Sequence, residues 1–434
     1  MIKLVIFTIS VLYFKCWARS HEMRESELWD IKEFNSYLKF SEDSNQFDST
    51  RIYGDIQQYR AGLKNEDIYL NVSQLIYKYG YPVEEHKVKT EDGYIVSLIR
   101  IPSEGPAVLL MHGLTGCADD WVVAGTESGM AYLLANEGYD VWLGNARGNK
   151  HSRAHVTKDP STFDFWDFSW DEIGRYDLPA IIDYVLDTKN QTQLIYVGHS
   201  QGSTVFFVMA SELPAYNDKI SLMVALSAPT AIPNIKSPLL NFLKIVTLFH
   251  PEHLFALVKE MGFYEFFPSN DLVKHFTPIV CGTEELAEII CSNMMFQLCG
   301  FNAAQLNISQ LPVIFAHQPG GASTKQVEHY SQAVLSGKFR RFDYEDIKNI
   351  QKYGAKEPPE YAVEKITTPI VLFYSDNDWL VSFDDTEVLR KRLKNVVEVY
   401  QVPDPYFNHV DYLFAKDVKT LVFNKLSSII KAHL

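Results

Sequence analysis

Gly198, His199, Ser200, Gln201 and Gly202 follow directly on the apolar run at residues 194–197. Small residues two before and two after a serine permit a tight strand-to-helix turn that lifts its hydroxyl into the open, and residues 203–210 can supply the helix. The pentapeptide alone is common; with a strand before it and a helix after it, the pattern is specific. A serine so placed attacks carbonyl carbon, but a free hydroxyl is a weak nucleophile and needs a base. Of 13 histidines, His409 lies in the loop Phe407, Asn408, His409, Val410, Asp411 beyond the last predicted strand, where a base reaching over a sheet end belongs. His112 and His199 are tied to the turns they occupy and read as packing or hydrogen-bonding groups. The acid that orients the base belongs in a loop after a strand lying between serine and histidine in the chain. Residues 375–379 follow such a strand and offer Asp376 and Asp378, between which spacing does not choose.

A tetrahedral intermediate also needs donors for its oxyanion. The backbone N–H of Gln201 is one by position, because it follows the nucleophile. Leu114, in the turn His112, Gly113, Leu114, Thr115, Gly116, offers the second. The loop Gly144, Asn145, Ala146, Arg147, Gly148 lacks dinucleotide-binding spacing, and Arg147 reads as an ion-paired brace. His21 and Glu22 do not continue into a zinc-protease motif, and the cysteines lack paired zinc-ligand spacing.

The elements that must hold these groups form an alternation. Residues 107–111, 139–143, 194–197, 222–226, 370–374 and 396–400 read as central strands, with helical stretches at 131–137 and 178–187 between them. Residues 88–101, around the turn Glu91, Asp92, Gly93, read as an edge hairpin. A mostly parallel sheet covered on both faces follows. The rhythm breaks between about residues 229 and 359, where aromatic-rich helical stretches at 239–249 and 255–267 suggest an insertion above the sheet. The resulting organisation is 1–18 leader, 19–67 polar extension or propeptide, 68–228 first part of the core, 229–359 insertion and 360–434 second part of the core.

Lys3, an apolar run over residues 4–14 broken only by Thr8 and Ser10, and Ala18 as a small cleavage-site residue read as a signal peptide. The expected product is secreted or lumenal, with the lysosome among its destinations and no membrane span in the mature chain. Export makes Asn71, Asn190 and Asn307 candidate glycan acceptors, each opening an Asn-x-Ser/Thr triplet. A net charge of −14 without a basic block excludes a nucleic-acid surface. Beyond Cys16, four cysteines remain, too few to staple the fold. The oligomeric state is not legible.

Taken together these motifs resemble the acid lipase family of gastric lipases, lysosomal acid lipases and insect relatives, over roughly residues 68–430. The resemblance rests on Gly80, Tyr81, Pro82; Thr90 to Tyr94; His112, Gly113, Leu114; Asn145 to Gly148; Gly198 to Gly202; Asn377, Asp378; and His409, Val410, Asp411. It implies an α/β-hydrolase fold with a helical cap and lid insertion, and Ser200, Asp378 and His409 as the catalytic triad. It also implies Leu114 and Gln201 as the oxyanion hole, a Cys281–Cys291 disulfide, a free Cys299, and operation at acid pH. The implied reaction needs no metal or organic cofactor, and its substrate is a neutral lipid ester met at a lipid–water interface, triacylglycerol above all. A carboxylesterase, a sterol ester hydrolase and a non-catalytic lipid-binding protein are the alternatives. The sequence departs from the family pattern at Asp119 and Asp120, where relatives carry small hydroxyl residues, and in the short segment between Pro102 and Pro106; both are expected to alter the rim of the site.

Overall fold

The computed structural model describes residues 57–58, 61–237, 240–241, 255, 259–267 and 298–433. The leader, most of the 19–67 extension, most of the 239–249 stretch, and Cys281 and Cys291 lie outside the described residues.

Eight of the described strands form one sheet: β1 (Glu84–Lys89), β2 (Ile95–Ile101), β3 (Ala107–Met111), β4 (Asp140–Gly144), β5 (Leu194–His199), β6 (Ile220–Leu226), β9 (Ile370–Tyr374) and β10 (Val396–Gln401). Their spatial order is β1-β2-β4-β3-β5-β6-β9-β10, and a separate ribbon pairs β7 (Glu265–Phe266) with β8 (Ala322–Ser323). The pairings β1/β2 and β2/β4 are antiparallel. From β4 across to β10 every pairing is parallel.

The residues explain this layout. Every position of β3, β4 and β5 is buried, as expected of strands covered on both faces. Leu109, Met111, Trp142 and Tyr196 pack into one core with the helices Leu178–Lys189 and Gln201–Glu212. Val108, Leu110, Leu143 and Val197 pack into the other with the helices Met130–Asn136 and Asn424–His433. The edge strand β1 instead exposes Glu85, Lys87 and Lys89, charges that discourage pairing with another chain.

Five of the six strands read as central lie inside the sheet within two residues of where sequence places them; the sixth, β10, stands at the sheet edge with half-buried and exposed positions, and the hairpin begins at Glu84, four residues earlier than the sequence suggests. The insertion differs in one respect. Helical character expected through residue 267 ends earlier, because Gly262 adopts a left-handed backbone (φ +77°) and Glu265 and Phe266 pair with Ser323 and Ala322. The rest of the described insertion contains the helices Leu311–His317, Thr324–Ser336 and Asp346–Tyr353. Arg147 is the expected brace: its buried guanidinium pairs with Asp177 (2.7 Å) and Asp92 (2.5 Å) and lies 4.0 Å over the Tyr94 ring. Among the described residues no helix is long and apolar enough to cross a membrane.

Candidate active site

Because β3, β5, β6, β9 and β10 are parallel neighbours, their carboxyl ends share one edge of the sheet, the place where such sheets put ligands. The chain leaves that edge at His112, Ser200, Ser227 and Ser375, and by the loop that carries His409.

Ser200 stands between β5 and the helix Gln201–Glu212 with φ +50° and ψ −121°, a backbone that non-glycine residues seldom adopt. The turn is held by Ser200 N–H donating to the Leu226 carbonyl (2.9 Å), Ser203 Oγ–H to the Gly198 carbonyl (2.7 Å) and Tyr196 Oη–H to the Gly202 carbonyl (2.7 Å). Its glycines are sterically required. A Cβ on Gly198 would lie 2.6 Å from the Gly202 carbonyl carbon, and one on Gly202 would lie 2.1 Å from the Met111 carbonyl oxygen.

His409 and Asp378 are joined directly: His409 Nδ1–H donates to Asp378 Oδ2 at 2.8 Å. That bond places the proton on Nδ1 and leaves Nε2 as the basic nitrogen. Asp378 Oδ1 accepts the Leu380 and Val381 amides, each at 2.9 Å. Burial pushes this carboxyl up, but the charge and hydrogen bond of His409, the Ser227 hydroxyl and the Val381 amide together hold it below the usual carboxylate value. Asp376, the other carboxylate of the loop, is exposed and accepts from Gln401 Nε2 (2.7 Å). The histidine loop touches the elbow through His199, which donates Nε2–H to the His409 carbonyl (2.8 Å) and whose ring centroid lies 5.0 Å from that of His409. Burial depresses His199 to about 3, so it stays neutral.

The turn after β3 abuts Ser200, since a Cβ on Gly113 would stand 3.1 Å from Ser200 Cβ and 3.6 Å from Ser200 Oγ. Leu114 is the next residue, in a turn closed by Gly116 N–H to the Gly113 carbonyl (3.1 Å). The Gln201 N–H opens its helix and has no helical carbonyl to receive it. His112 donates Nδ1–H to the Gly113 carbonyl (2.8 Å) and accepts the Ala146 N–H at Nε2 (3.1 Å), and burial lowers it to about 4. It is therefore a neutral strut, as its turn position suggests.

Asp119 and Asp120 do not stand at a rim: both are buried, on a short helix, Ala118–Trp121, whose four residues are all buried. Asp119 receives Lys150 Nζ (2.5 Å), His151 Nε2 (2.6 Å) and His317 Nδ1 (2.7 Å). Its carboxyl lies well below the usual range, since the Lys150 charge and the two imidazole donors outweigh burial. Side-chain ligand atoms of Cys117, Asp119 and His151 fall within 4.8 Å of one another, but the Lys150 ammonium already supplies the positive charge that Asp119 needs.

Asp120 is pushed up to about 8, first by burial and then by the Asp119 charge. A raised carboxyl contributes stability that is complete below its ordinary value and is lost as pH rises through the folded value. The Asp120→Asn variant should therefore lose less Tm than the parent between pH 5 and pH 8, by about 5 °C. The remaining slope includes Asp411, raised by burial to about 7. Parallel melting curves for parent and variant would show that Asp120 does not titrate in this window.

Two features escape sequence reasoning. Ser227, immediately after β6, lies 2.5 Å from Asp378 Oδ2 and 2.9 Å from His409 Nδ1. The segment from Cys299 to Asn302 clamps the Asp378 and His409 loops together: the Cys299 carbonyl accepts the Trp379 and His409 amides, and Asn302 Nδ2 donates to Asp411 (2.8 Å). A strand-end position was a usable signal for Ser227; contacts made across more than seventy residues carried none for the clamp. Cys299 is a free, buried thiol, as the resemblance implies. Of the candidate glycan acceptors, Asn71 and Asn190 are exposed, while Asn307 is half-buried and accepts from Ser309 Oγ (2.9 Å).

A sheet of this order with its polar groups gathered at the carboxyl edge defines an α/β hydrolase, and residues 106–413 match the family described as alpha/beta hydrolase fold. Residues 72–125 match a partial alpha/beta-hydrolase lipase region. The chain belongs to the acid lipases, the gastric and lysosomal branch of that fold. It is 41% identical to Lipase 1 of Drosophila melanogaster over 84% of this chain and 80% of the relative. It is 37% identical to gastric triacylglycerol lipase of Homo sapiens, over 84% and 92% of the two chains. Against lysosomal acid lipase/cholesteryl ester hydrolase of Homo sapiens the identity is 36%, over 84% and 91%. A crystal structure of a putative lipase from Sulfolobus solfataricus shares the fold at a TM-score of 0.55 and 14% identity, covering 81% of this chain and 94% of that one. This kinship supports lipid ester hydrolysis as the activity.

Proposed function

We propose that this protein is an exported serine lipase that cleaves carboxylic ester bonds of neutral lipids, triacylglycerols first, through an acyl-enzyme on Ser200. The observation that carries the reading is the 2.8 Å His409–Asp378 pair held at the same sheet edge as the Ser200 elbow. His409 Nε2 takes the Ser200 proton as Oγ attacks the ester carbonyl, and Asp378 holds the ring with its proton on Nδ1. The Leu114 and Gln201 amides receive the oxyanion. The imidazolium then protonates the departing alcohol, and water releases the acid by the same route.

The neutral-lipid assignment is supported by the relatives named as triacylglycerol lipase and cholesteryl ester hydrolase, and by the aromatic insertion at residues 229–359, read as a cap with a lid over an acyl-chain pocket. The leader at residues 1–18, the Cys281–Cys291 bridge and glycans on Asn71, Asn190 and Asn307 belong to the same reading of an exported protein. The test is a chain-length series of glycerol esters, and a sterol ester, each assayed with and without an emulsified interface. Long-chain glycerides turned over fastest at the interface are the expected result. Preference for short soluble esters would make the protein a carboxylesterase instead, and preference for the sterol ester would move the assignment to sterol ester hydrolysis.

A further inference from the structure

Ser227 is 1% exposed, and its backbone adopts φ +52°, where glycine would be unstrained and serine is not. Its N–H donates to the Phe373 carbonyl (3.0 Å), which anchors it to β9, the strand that leads into the Asp378 loop. Its hydroxyl lies between the two groups that must cooperate, 2.5 Å from Asp378 Oδ2 and 2.9 Å from His409 Nδ1. These two atoms are themselves 2.8 Å apart, so the three side chains close a triangle.

The donor count gives the triangle a direction. A carboxylate only accepts, so Ser227 Oγ–H must donate to Asp378 Oδ2, and the serine lone pair is left facing Nδ1–H. Asp378 then receives two amides on Oδ1 and two side-chain donors on Oδ2, a full shell for a buried charge. Removing the hydroxyl leaves Oδ2 with a single donor in a site closed to water, and frees the carboxylate and the imidazole to shift relative to each other.

We propose that Ser227 is a positioning residue of the site, whose hydroxyl fixes the Asp378 carboxylate against His409 Nδ1 and supports the pair when the imidazole becomes charged. The inference rests on the reading of Asp378 and His409 as orienting acid and base.

The test uses Ser227→Gly, Ser227→Ala and Asp378→Asn in the full chain. Each is assayed on a soluble short-chain nitrophenyl ester, with active sites counted by the endpoint of labelling with a serine-reactive phosphonate. Counting sites removes any effect of folded yield, and the glycine variant removes the hydroxyl while relieving the backbone. Both Ser227 variants should lose roughly 10- to 100-fold in kcat per titrated site, with KM within about twofold of the parent. If Ser227→Gly retains parental kcat per site while Asp378→Asn is crippled, the positioning role is wrong and the acid–base reading survives. If Ser227→Ala alone is impaired, the residue matters through its backbone and the proposal falls. If Asp378→Asn is fully active, the acid–base reading fails and takes this inference with it.

Discussion

Replacing Ser200 by alanine is expected to lower kcat for ester hydrolysis by roughly 10⁴- to 10⁶-fold, with KM nearly unchanged and labelling by a serine-reactive phosphonate abolished. The elbow makes this a clean experiment. Ser200 holds its place through backbone bonds, its N–H to the Leu226 carbonyl and its carbonyl from the Ser203 amide, and alanine keeps both. The substitution deletes one oxygen and no backbone hydrogen bond, so thermal stability should move by less than about 1 kcal/mol. Substrate affinity should survive because the apolar contacts of an acyl chain do not pass through the hydroxyl. Turnover within tenfold of the parent, measured on the purified variant, would remove Ser200 from the chemistry.

Asp378→Asn is expected to cost about 10⁴-fold in kcat, and Asp376→Asn less than about twofold. The asymmetry follows from what each carboxylate touches. In Asp378→Asn the new side-chain carbonyl would keep the Leu380 and Val381 amides, and its NH₂ group would then face His409 Nδ1. Two donors cannot share that contact, so the ring must carry its proton on Nε2, the nitrogen that has to accept one from the serine. The protein would fold with its base in the unreactive tautomer. Asp376 is exposed, and among the described residues its carboxylate meets only Gln401 Nε2 at the surface. Steady-state kinetics on both variants, after circular dichroism confirms folding, decides the matter. Equal losses would mean that neither aspartate orients the ring.

Spacing alone left these two aspartates level, and the difference between them is a matter of direction. In the turn after β9 Asp376 is left at the surface and Asp378 is buried against His409, and only the fold says which is which. The turn at Ser200, the loops that carry Asp378 and His409, and the strands beneath them were legible because each depends on local patterns: an apolar run, a pair of glycines, a loop after a strand. The burial of Asp119 and Asp120 was not. Nothing within a few residues of them announces that Lys150, His151 and His317 converge on one carboxylate, which makes a buried hub of residues that look like surface decoration. The ribbon at Glu265–Phe266 was hidden for the same reason, since its partner strand is more than fifty residues away.

The insertion is tied on two sides to the loops at the carboxyl edge of the sheet. The Gly320 N–H reaches the Thr115 carbonyl beside the Leu114 turn, and the Cys299 carbonyl takes amides from both the acid loop and the histidine loop. Exchanging this segment between relatives to alter substrate range would therefore also disturb the loops that carry Leu114, Asp378 and His409. A chimaera that keeps the native chain at 299–302 and 318–320 and swaps only what lies between and before these stitches gives the better chance of transferring selectivity without losing turnover.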